Sequence, residues 1–345
     1  MTQPLADPSH IDPKLPLIDL HRHIDGSVRL TTILDLAREH RIKLPGATLE
    51  ELRPHVQVME DERQPGVMAF IAKMLWMTAV LANADACRRI ARESVQDAHR
   101  EGIDYIELRF SPWFMSEPHR LDPVAVVEAV VEGVEEARQT SDVQVNLIGI
   151  LSRTYGVDIA KKELAALLTK RDKLVALDLA GDEAAFPPQL FVEHFERGRD
   201  AGWHITVHAG ESAGPKSVWD AVKLLGAERV GHGVRAMEDP ALVDFLMERR
   251  IGVEVNLTSN VQTSTVPDLP SHPFREMLAR GLLASINTDD PGVSAIDLPF
   301  EYNVAAPAAG LSGTQIRQAQ RNALETSFLS AADKQSLVKR KSTSS

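Results

Sequence analysis

The feature that most constrains the fold of this chain is a series of eight short apolar runs, rich in β-branched residues, that alternate with longer segments of helical pattern. The runs begin at Leu15, Tyr105, Val143, Leu174, Trp203, Arg229, Ile251 and Ala284. Strands that alternate with helices form parallel βα units, because parallel strands need long crossover connections. Eight such units without an obvious break predict a single (β/α)8 TIM barrel over residues 15–334.

The structural rival of a barrel is an open, doubly wound sheet. Such sheets often carry a Gly-rich phosphate-binding turn after the first strand, and this chain has none there. The length of 345 residues suits one barrel domain as well as two smaller domains. With 43% hydrophobic and 25% charged residues, the chain has enough apolar surface for a full core, which excludes a disordered or fibrous protein.

Three segments lie outside the regular alternation. Residues 1–14 and 335–345 are polar and are expected to be solvated tails, the basic run near Lys339 being a frayed helix end. The stretch from about 31 to 102 is a long helical insertion after the first strand, at the catalytic face of a barrel. Its apolar segment makes it a candidate lid in which Phe70, Met74 and Trp76 cover a ligand. Simple packing of these residues onto the barrel is the alternative.

Charge and cysteine content narrow the function. The formal net charge of -11 argues against a basic face for nucleic acid and favours a small or neutral ligand. No run approaches the roughly 18 apolar residues of a membrane span, and the amino terminus lacks a secretion signal, so a cytoplasmic protein is expected. The single cysteine, Cys87, lies in a helical pattern and is interpreted as a packed thiol rather than a nucleophile.

Four side chains fall where three of the predicted strands end. His21 and His23 lie two residues apart at the end of the first strand, so both imidazoles point to one side. His208 ends the fifth strand and Asp289 the eighth, each before a turn with Gly or Pro. A His-x-His pair alone is a weak signal, but barrel sites are assembled from several strand ends. The four are candidate ligands of one metal ion, and this donor set suits zinc with a position left for water.

Three more polar residues surround this predicted cluster. Glu211 follows His208 by three residues and is a candidate proton shuttle. His232, at the end of the sixth strand, is a candidate to deprotonate a metal-bound water or to stabilise its charge. Asp290 is a candidate hydrogen-bond acceptor from substrate or water. Taken singly, a turn glutamate or an aspartate before proline is more often a cap, and only the coincidence at several strand ends favours chemistry.

A second metal is not expected. Two-metal barrels use a modified lysine at the end of the fourth strand, whereas Lys173 lies at its beginning. Gly181, after that strand, exposes backbone that a flat heterocycle can approach, or is an ordinary turn glycine. His204 begins its strand, and the remaining histidines are interpreted as structural: His10, His40, His55, His99, His119, His194 and His272.

The motifs at these positions resemble the adenosine deaminase family, and most closely its bacterial members. They span about residues 15–330 in order and read HRHIDGS, ELRFSP, DLAGDE, TVHAGE, GHG, LTSNVQTS and SINTDDP. The resemblance implies one zinc ion held by His21, His23, His208 and Asp289. It also implies a small purine nucleoside as substrate, with no nucleic-acid or membrane partner, and a role in purine salvage.

The resemblance further implies a role for each site residue. Glu211 matches the donor of a proton to purine N1, and His232 the residue that orients and deprotonates the zinc water. Asp290 matches the partner of the attacking hydroxyl and of N7, Gly181 the backbone contact to N3, and Asp25 the acceptor from a ribose hydroxyl. His23 is expected to touch the sugar as well. An apolar gate over the purine is implied at Val67, Phe70, Ile71 and Met74.

The implied reaction is attack of a zinc-activated hydroxide on C6 of adenosine or 2′-deoxyadenosine, giving inosine or 2′-deoxyinosine and ammonia. Val255 and Asn256 depart from the Ser-Cys expected in close bacterial relatives, which leaves the fine specificity open. Other 6-aminopurines, including free adenine, modified adenosine phosphates and aminated futalosine, are alternative substrates within the same reaction class. A single-metal amidohydrolase of cyclic amides and a non-catalytic nucleoside-binding barrel are the alternatives from other classes.

Overall fold

Eight parallel strands form the centre of the computed structural model, which describes residues 10–59, 62 and 65–344. The strands are β1 Ile18–His23, β2 Tyr105–Phe110, β3 Gln144–Ser152, β4 Leu174–Ala180, β5 His204–Ala209, β6 Arg229–His232, β7 Gly252–Val255 and β8 Leu283–Ile286. They pair in chain order. Each overlaps one of the eight apolar runs, so the predicted barrel is confirmed.

The barrel is closed by the residues that follow β8. The amide of His23 donates to the carbonyl of Asp289 at 2.9 Å, and the amide of Asp289 donates to the carbonyl of His21 at 2.7 Å. These bonds join the segment after β8 to β1, and they place Asp289 beside His21 and His23. These contacts nearly close the sheet into a barrel, which is the usual solution for parallel strands covered by helices.

Helices surround the barrel. The α-helices of the described residues are α1 Leu30–His40, α2 Leu49–Val56, α3 Val67–Thr78, α4 Ala84–Arg100, α5 Pro112–Ser116, α6 Pro123–Arg138, α7 Val157–Leu168, α8 Val192–Asp200, α9 Pro215–Asp220, α10 Pro240–Glu248, α11 Leu257–Gln262, α12 Phe274–Arg280, α13 Pro291–Ser294, α14 Leu298–Phe300, α15 Ala306–Ala308, α16 Gly313–Thr326 and α17 Ala331–Ser344. Side-chain caps start several of them; Asn83, for example, accepts the amide of Ala86 at 2.9 Å at the start of α4. None of these helices is long and apolar enough to cross a membrane.

The long insertion divides into parts with different positions. α4 packs in the outer layer beside α6, where Arg92 lies 3.0 Å from Glu136. α3 instead lies over the carboxyl ends of the strands, and it is the part of the insertion that lines the central cavity. Trp76 of α3 does not line this cavity; it packs, half-buried, against the hydrophobic core, so the idea that it covers a ligand is wrong.

Both chain ends differ from solvated tails in the part that the structure describes. The amide of His10 donates to Asn303 at 2.8 Å and that of Asp12 to Gln320 at 3.0 Å, whereas residues 1–9 lie outside the described residues. Residues 335–344 continue α17, and residue 345 lies outside the described residues. Its Leu337 is buried against residues at the beginnings of β1 and β2. This apolar contact holds α17 against the amino-terminal end of the barrel.

Three further sequence interpretations agree with the fold. Cys87 is buried within α4, and burial raises the pKa of its thiol to about 12, as expected of a packed cysteine. His204 lies at the amino-terminal end of β5, where its ring stacks on Phe328 with 4.5 Å between centroids. Lys173 precedes β4 with an exposed side chain 3.5 Å from Glu135, far from the carboxyl ends.

Candidate active site

The four residues predicted as metal ligands lie together at the carboxyl-terminal mouth of the barrel. Nε2 of His208 lies 3.0 Å from Nε2 of His21 and 3.2 Å from Nε2 of His23. Oδ1 of Asp289 lies 3.2 Å and 3.4 Å from the same two atoms of His21 and His23. All four side chains are buried. The strand period and the closure of the barrel thus bring together residues up to 268 positions apart, the separation from His21 to Asp289.

Carboxylates inside the barrel determine which ring nitrogens face the cluster. Nδ1 of His21 lies 2.7 Å from Glu254, and Nδ1 of His208 lies 3.0 Å from Asp178. A carboxylate accepts, so each Nδ1 carries the proton and each Nε2 presents a lone pair. Two lone pairs 3.0 Å apart cannot bond to each other. This donor set therefore fits a metal ion that both nitrogens coordinate.

Arg109 connects the two carboxylates. Its guanidinium donates to Asp178 at 2.8 Å and to Glu254 at 2.8 Å, from a fully buried position in β2. Burial opposes ionisation of Glu254, but the charges of Arg109 and Arg229 outweigh it and hold the pKa of that carboxyl well below its ordinary value. For Asp178, burial is likewise outweighed by His208 and Arg109, and its pKa is lowered. Both groups are charged acceptors for the histidines above them.

Two residues of the site have left-handed backbone. His232 has φ of 60° and Asp289 has φ of 64°, a region that non-glycine residues seldom adopt. Such strain concentrates at functional sites. Oδ2 of Asp289 accepts from the Ser259 hydroxyl at 2.6 Å and lies 3.8 Å from Nε2 of His232. His232 is thus placed beside the cluster, and its ligand atom falls within 4.8 Å of those of His21, His208 and Asp289.

Glu211 lies in the loop after β5, and one carboxylate holds this loop. Glu183 accepts the amides of Gly210 at 2.6 Å, Glu211 at 3.2 Å, and Ser212 and Ala213 at 2.9 Å each. The side chain of Glu211 reaches within 3.6 Å of Nε2 of His232. Burial, followed by the negative charges of Asp289 and Glu183, raises the pKa of Glu211 well above its ordinary value. The surroundings of Glu211 therefore favour the protonated form of its carboxyl.

Asp290 is the second carboxyl of the site whose pKa the surroundings raise. Burial and the adjacent charge of Asp289 raise the pKa of Asp290 well above its ordinary value. Its Oδ1 is buried without a hydrogen-bond partner among the described residues. A side chain at Gly26 would overlap that oxygen, so only glycine leaves room for Asp290 to face the cavity.

A cavity of about 290 Å³ opens above these residues. At its side, Oδ1 of Asp25 is buried without a hydrogen-bond partner in the part of the chain described, 3.7 Å from Nδ1 of His23. α3 forms an apolar wall that contributes Val67, Phe70, Ile71 and Met74 among others. Such a cavity, apolar on one side with a few convergent polar groups, has the features of a small-molecule site.

Gly181 lies on the cavity wall after β4 with φ of 109°. A side chain there would overlap the hydroxyl of Thr154, which accepts the amide of Asp182 at 2.9 Å. The glycine is therefore required by its backbone conformation and by close packing, and its backbone remains accessible to a ligand. Apart from Trp76, the residues singled out from the sequence as catalytic, ligand-binding or metal-binding lie at this one cavity or at the cluster beneath it.

The sequence analysis missed the residues that support the site. The missed residues include charged side chains buried within otherwise apolar strands, namely Asp178, Glu254 and Arg109. Their positions in the sequence could have indicated a supporting role, because a charge buried inside a barrel needs a partner. Glu183 belongs to the DLAGDE motif but received no role. Its partners lie 27 to 30 residues further along, and no local pattern indicates them.

The chain also matches known proteins by sequence. The family model described as adenosine deaminase matches residues 16–343. Curated relatives named adenosine deaminase include one from Escherichia coli O1:K1, 58% identical, and one from Photorhabdus laumondii, 57% identical. Each alignment covers 95% of this chain and 98% of the relative.

Solved structures with the same fold include an adenine deaminase from Arthrobacter aurescens, with a TM-score of 0.88 and 26% identity over 95% of this chain and 98% of that one. An N6-methyl-AMP deaminase from Arabidopsis thaliana gives a TM-score of 0.81 with 26% identity, over 96% of this chain and 98% of the other. The family of this chain is shown by the long sequence match to the curated relatives, more than by the fold shared with the solved structures. The chain belongs to the adenosine deaminase family.

Proposed function

We propose that this chain catalyses the hydrolytic deamination of adenosine and of 2′-deoxyadenosine, which yields inosine or 2′-deoxyinosine and ammonia. The observation that carries the proposal is the position of Glu211, a buried carboxyl with a raised pKa beside the His and Asp cluster, at the base of a cavity of about 290 Å³. The 57–58% identity to proteins named adenosine deaminase supports the same reaction.

The proposed metal is one zinc ion held by His21, His23, His208 and Asp289. The support is the donor set, three imidazole nitrogens and a carboxylate oxygen between 3.0 and 3.4 Å apart in the contacts given above. When bound, zinc would supply the Lewis acidity that activates a water molecule at neutral pH.

The remaining chemistry belongs to side chains of this protein. A protonated Glu211 holds the proton that the purine ring nitrogen N1 needs when C6 becomes tetrahedral. Asp290, with its raised pKa, is suited to donate a hydrogen bond to N7, which is an acceptor. His232 lies close enough to Glu211 and Asp289 to orient the attacking water between them. These contacts stabilise a tetrahedral carbon better than a flat ring, as catalysis requires.

The substrate contacts proposed for the cavity favour a nucleoside. The unpartnered Oδ1 of Asp25 accepts from a ribose hydroxyl, and His23 lies beside the same sugar. Gly181 offers backbone to N3, and Phe70 covers the purine from α3. Free adenine would leave the buried acceptor of Asp25 without a partner, which costs free energy. The cytoplasmic location predicted from the sequence stays a prediction.

The decisive experiment measures ammonia release by the purified, metal-analysed protein offered adenosine, 2′-deoxyadenosine, adenine and AMP in parallel. We expect rapid turnover of the two nucleosides alone, one zinc per chain, and loss of activity after treatment with a chelator that zinc restores. Turnover of adenine alone would contradict the role of Asp25. No turnover of any of the four by zinc-loaded protein would overturn the proposed function.

A further inference from the structure

A chain of hydrogen bonds reaches His232 from outside the cavity, and it begins at a backbone amide. The N–H of Phe274 lies 3.1 Å from Nδ1 of His272. A backbone N–H only donates, so Nδ1 of His272 carries a lone pair. His272 is buried, and burial lowers the pKa of its imidazole to about 3, so the ring is neutral at neutral pH. Its one proton is therefore on Nε2.

The next bond orients an amide. Nε2 of His272 lies 3.2 Å from Oδ1 of Asn260, and a protonated nitrogen must face the oxygen of the carboxamide. The opposite end of Asn260, its Nδ2, then faces Nδ1 of His232 at 2.9 Å. The amide of Asn256 lies 3.2 Å from the same nitrogen. Amide nitrogens donate, so Nδ1 of His232 accepts.

We propose that Asn260 and His272 are positioning residues that hold His232 in the tautomer with its proton on Nε2. This nitrogen faces Oε2 of Glu211 at 3.6 Å and Oδ2 of Asp289 at 3.8 Å. The neutral ring in this tautomer donates a hydrogen bond toward the position of the attacking oxygen and offers no lone pair there. His232 therefore stabilises negative charge on that oxygen rather than serving as its resting base.

The assignment also gives a role to two residues that the sequence analysis left aside. Asn256 is one of the positions that depart from the Ser-Cys expected in bacterial relatives, and its amide donates to His232 alongside that of Asn260. His272 was interpreted as structural. Its ring lies 12 positions beyond Asn260 and links that amide to the start of α12. The tautomer rests on the hydrogen-bond geometry and on the neutral state of the buried His272 ring, whereas its effect on turnover rests on the proposed function.

The tautomer can be read from the zinc-loaded wild-type protein without any substitution. We would label the histidine ring nitrogens with 15N and assign the His232 signals by their absence in His232→Asn. The expected spectrum has a non-protonated Nδ1 and a protonated Nε2. A protonated Nδ1 in the wild-type protein would overturn the proposal. This outcome is readable even if the protein deaminates none of the purines tested, so it is distinct from failure of the proposed function.

Asn260→Asp tests the consequence for turnover. The carboxylate retains the acceptor for His272 but presents an oxygen to His232, which draws a proton onto Nδ1. We expect kcat for adenosine to fall by about 10²-fold, as for loss of one charge-stabilising donor, with KM changed much less. The His232 Nδ1 signal should become that of a protonated nitrogen. An unchanged kcat in a variant with this altered signal would contradict the proposed role.

Two further variants separate positioning from general damage. Asn322→Asp makes the same change in another buried asparagine, whose amide donates to the carbonyl of Ala284 at 2.9 Å at the far end of the barrel. It should lower thermal stability yet leave the His232 signals and kcat near wild type. His272→Leu removes the donor that orients Asn260 and should lower kcat by a smaller factor, about 10-fold. Wild-type kcat in His272→Leu would contradict the relay.

Discussion

Asp178, in the interior of β4, lies 3.0 Å from Nδ1 of His208, a proposed metal ligand at the end of β5. The contact sets the ring so that Nε2 faces His21 and His23. Carboxylate partners of this kind raise the basicity of a metal-ligating histidine and fix its orientation. The affinity of the site for its metal should therefore depend on a residue that does not touch the metal.

Asp178→Asn tests this dependence. Loss of the negative charge should weaken zinc binding by about 10- to 100-fold, as for other residues behind metal ligands. Competition with a chelator of known affinity measures the effect. Asp172→Asn, on the exposed turn before β4, is the matched control and should bind zinc as the wild type does. Equal affinity in Asp178→Asn and wild type would show that this contact does not tune the site.

Glu183→Gln tests the loop that carries Glu211. The carboxylate accepts four backbone amides, and a carboxamide would direct N–H groups at some of these donors. Removing the charge also removes one of the causes that raise the pKa of Glu211. We expect kcat to fall by about 10- to 100-fold with zinc content unchanged, because small misplacements of a catalytic group are costly. Asp182→Asn changes the preceding residue and is the control. An unaffected kcat in Glu183→Gln would refute the proposed role of Glu183 in positioning Glu211.

Glu211→Gln tests the proposed proton donor directly. Glutamine keeps the shape of a protonated carboxyl and can donate a hydrogen bond, but it cannot deliver the proton. We expect kcat to fall by about 10²- to 10⁴-fold, the usual range for a general acid, while zinc content and binding of inosine are retained. In the wild type, activity should decline at alkaline pH, since a raised pKa keeps the acid form present until the pH passes it. Substantial activity in the variant would exclude Glu211 as the donor.

Phe70→Ala tests the wall that α3 forms over the cavity. The ring of Phe70 is buried and lines the cavity, so its loss removes apolar contact with a bound purine. We expect KM for adenosine to rise by about 10-fold, which corresponds to roughly 1.4 kcal/mol, with a smaller change in kcat. Leu49→Ala removes an exposed apolar side chain from the neighbouring α2 and should leave KM unchanged. An unaltered KM in Phe70→Ala would place the purine elsewhere.

Glu301 should make stability depend on pH. Burial raises the pKa of Glu301 to about 8 against an ordinary value of 4.5, and its Oε2 has no hydrogen-bond partner in the described structure. Between these two values the folded state binds the extra proton, so the free energy of unfolding falls as pH rises from 4.5 to 8. Glu301→Gln mimics the protonated form and should remove this decline, a difference of roughly 4 kcal/mol between pH 5 and pH 9.

Unfolding experiments at pH 5, 7 and 9 on zinc-loaded wild type and variant measure this difference. Glu248→Gln, at an exposed position of α10, is the control and should follow the wild-type profile. Parallel profiles for wild type and Glu301→Gln would mean that the buried carboxyl does not couple to folding.

The sequence by itself predicted the barrel, which the structure confirms, and it predicted which residues would meet at the site. Eight β-branched runs separated by helical segments leave few arrangements other than a closed parallel sheet. The period of two along β1 determines that His21 and His23 share a face, and barrel geometry determines that strand ends meet at one mouth. His208 and Asp289 could therefore be assigned to the same cluster before any contact was known, because the argument needed only their positions at strand ends.

The hydrogen-bond partners of these residues, and the directions in which their pKa values shift, become apparent only in the folded chain. Glu254 meets His21 across 233 positions of sequence, and Arg109 meets Glu254 across 145, because the register of the closed barrel stacks their side chains in its interior. The same holds for the bonds from Glu183 to the Glu211 loop and from Asn260 to His232. Local periodicity indicates which face a residue occupies, but a hydrogen-bond partner and a shifted pKa depend on burial and on the particular atoms nearby, which only the assembled fold specifies.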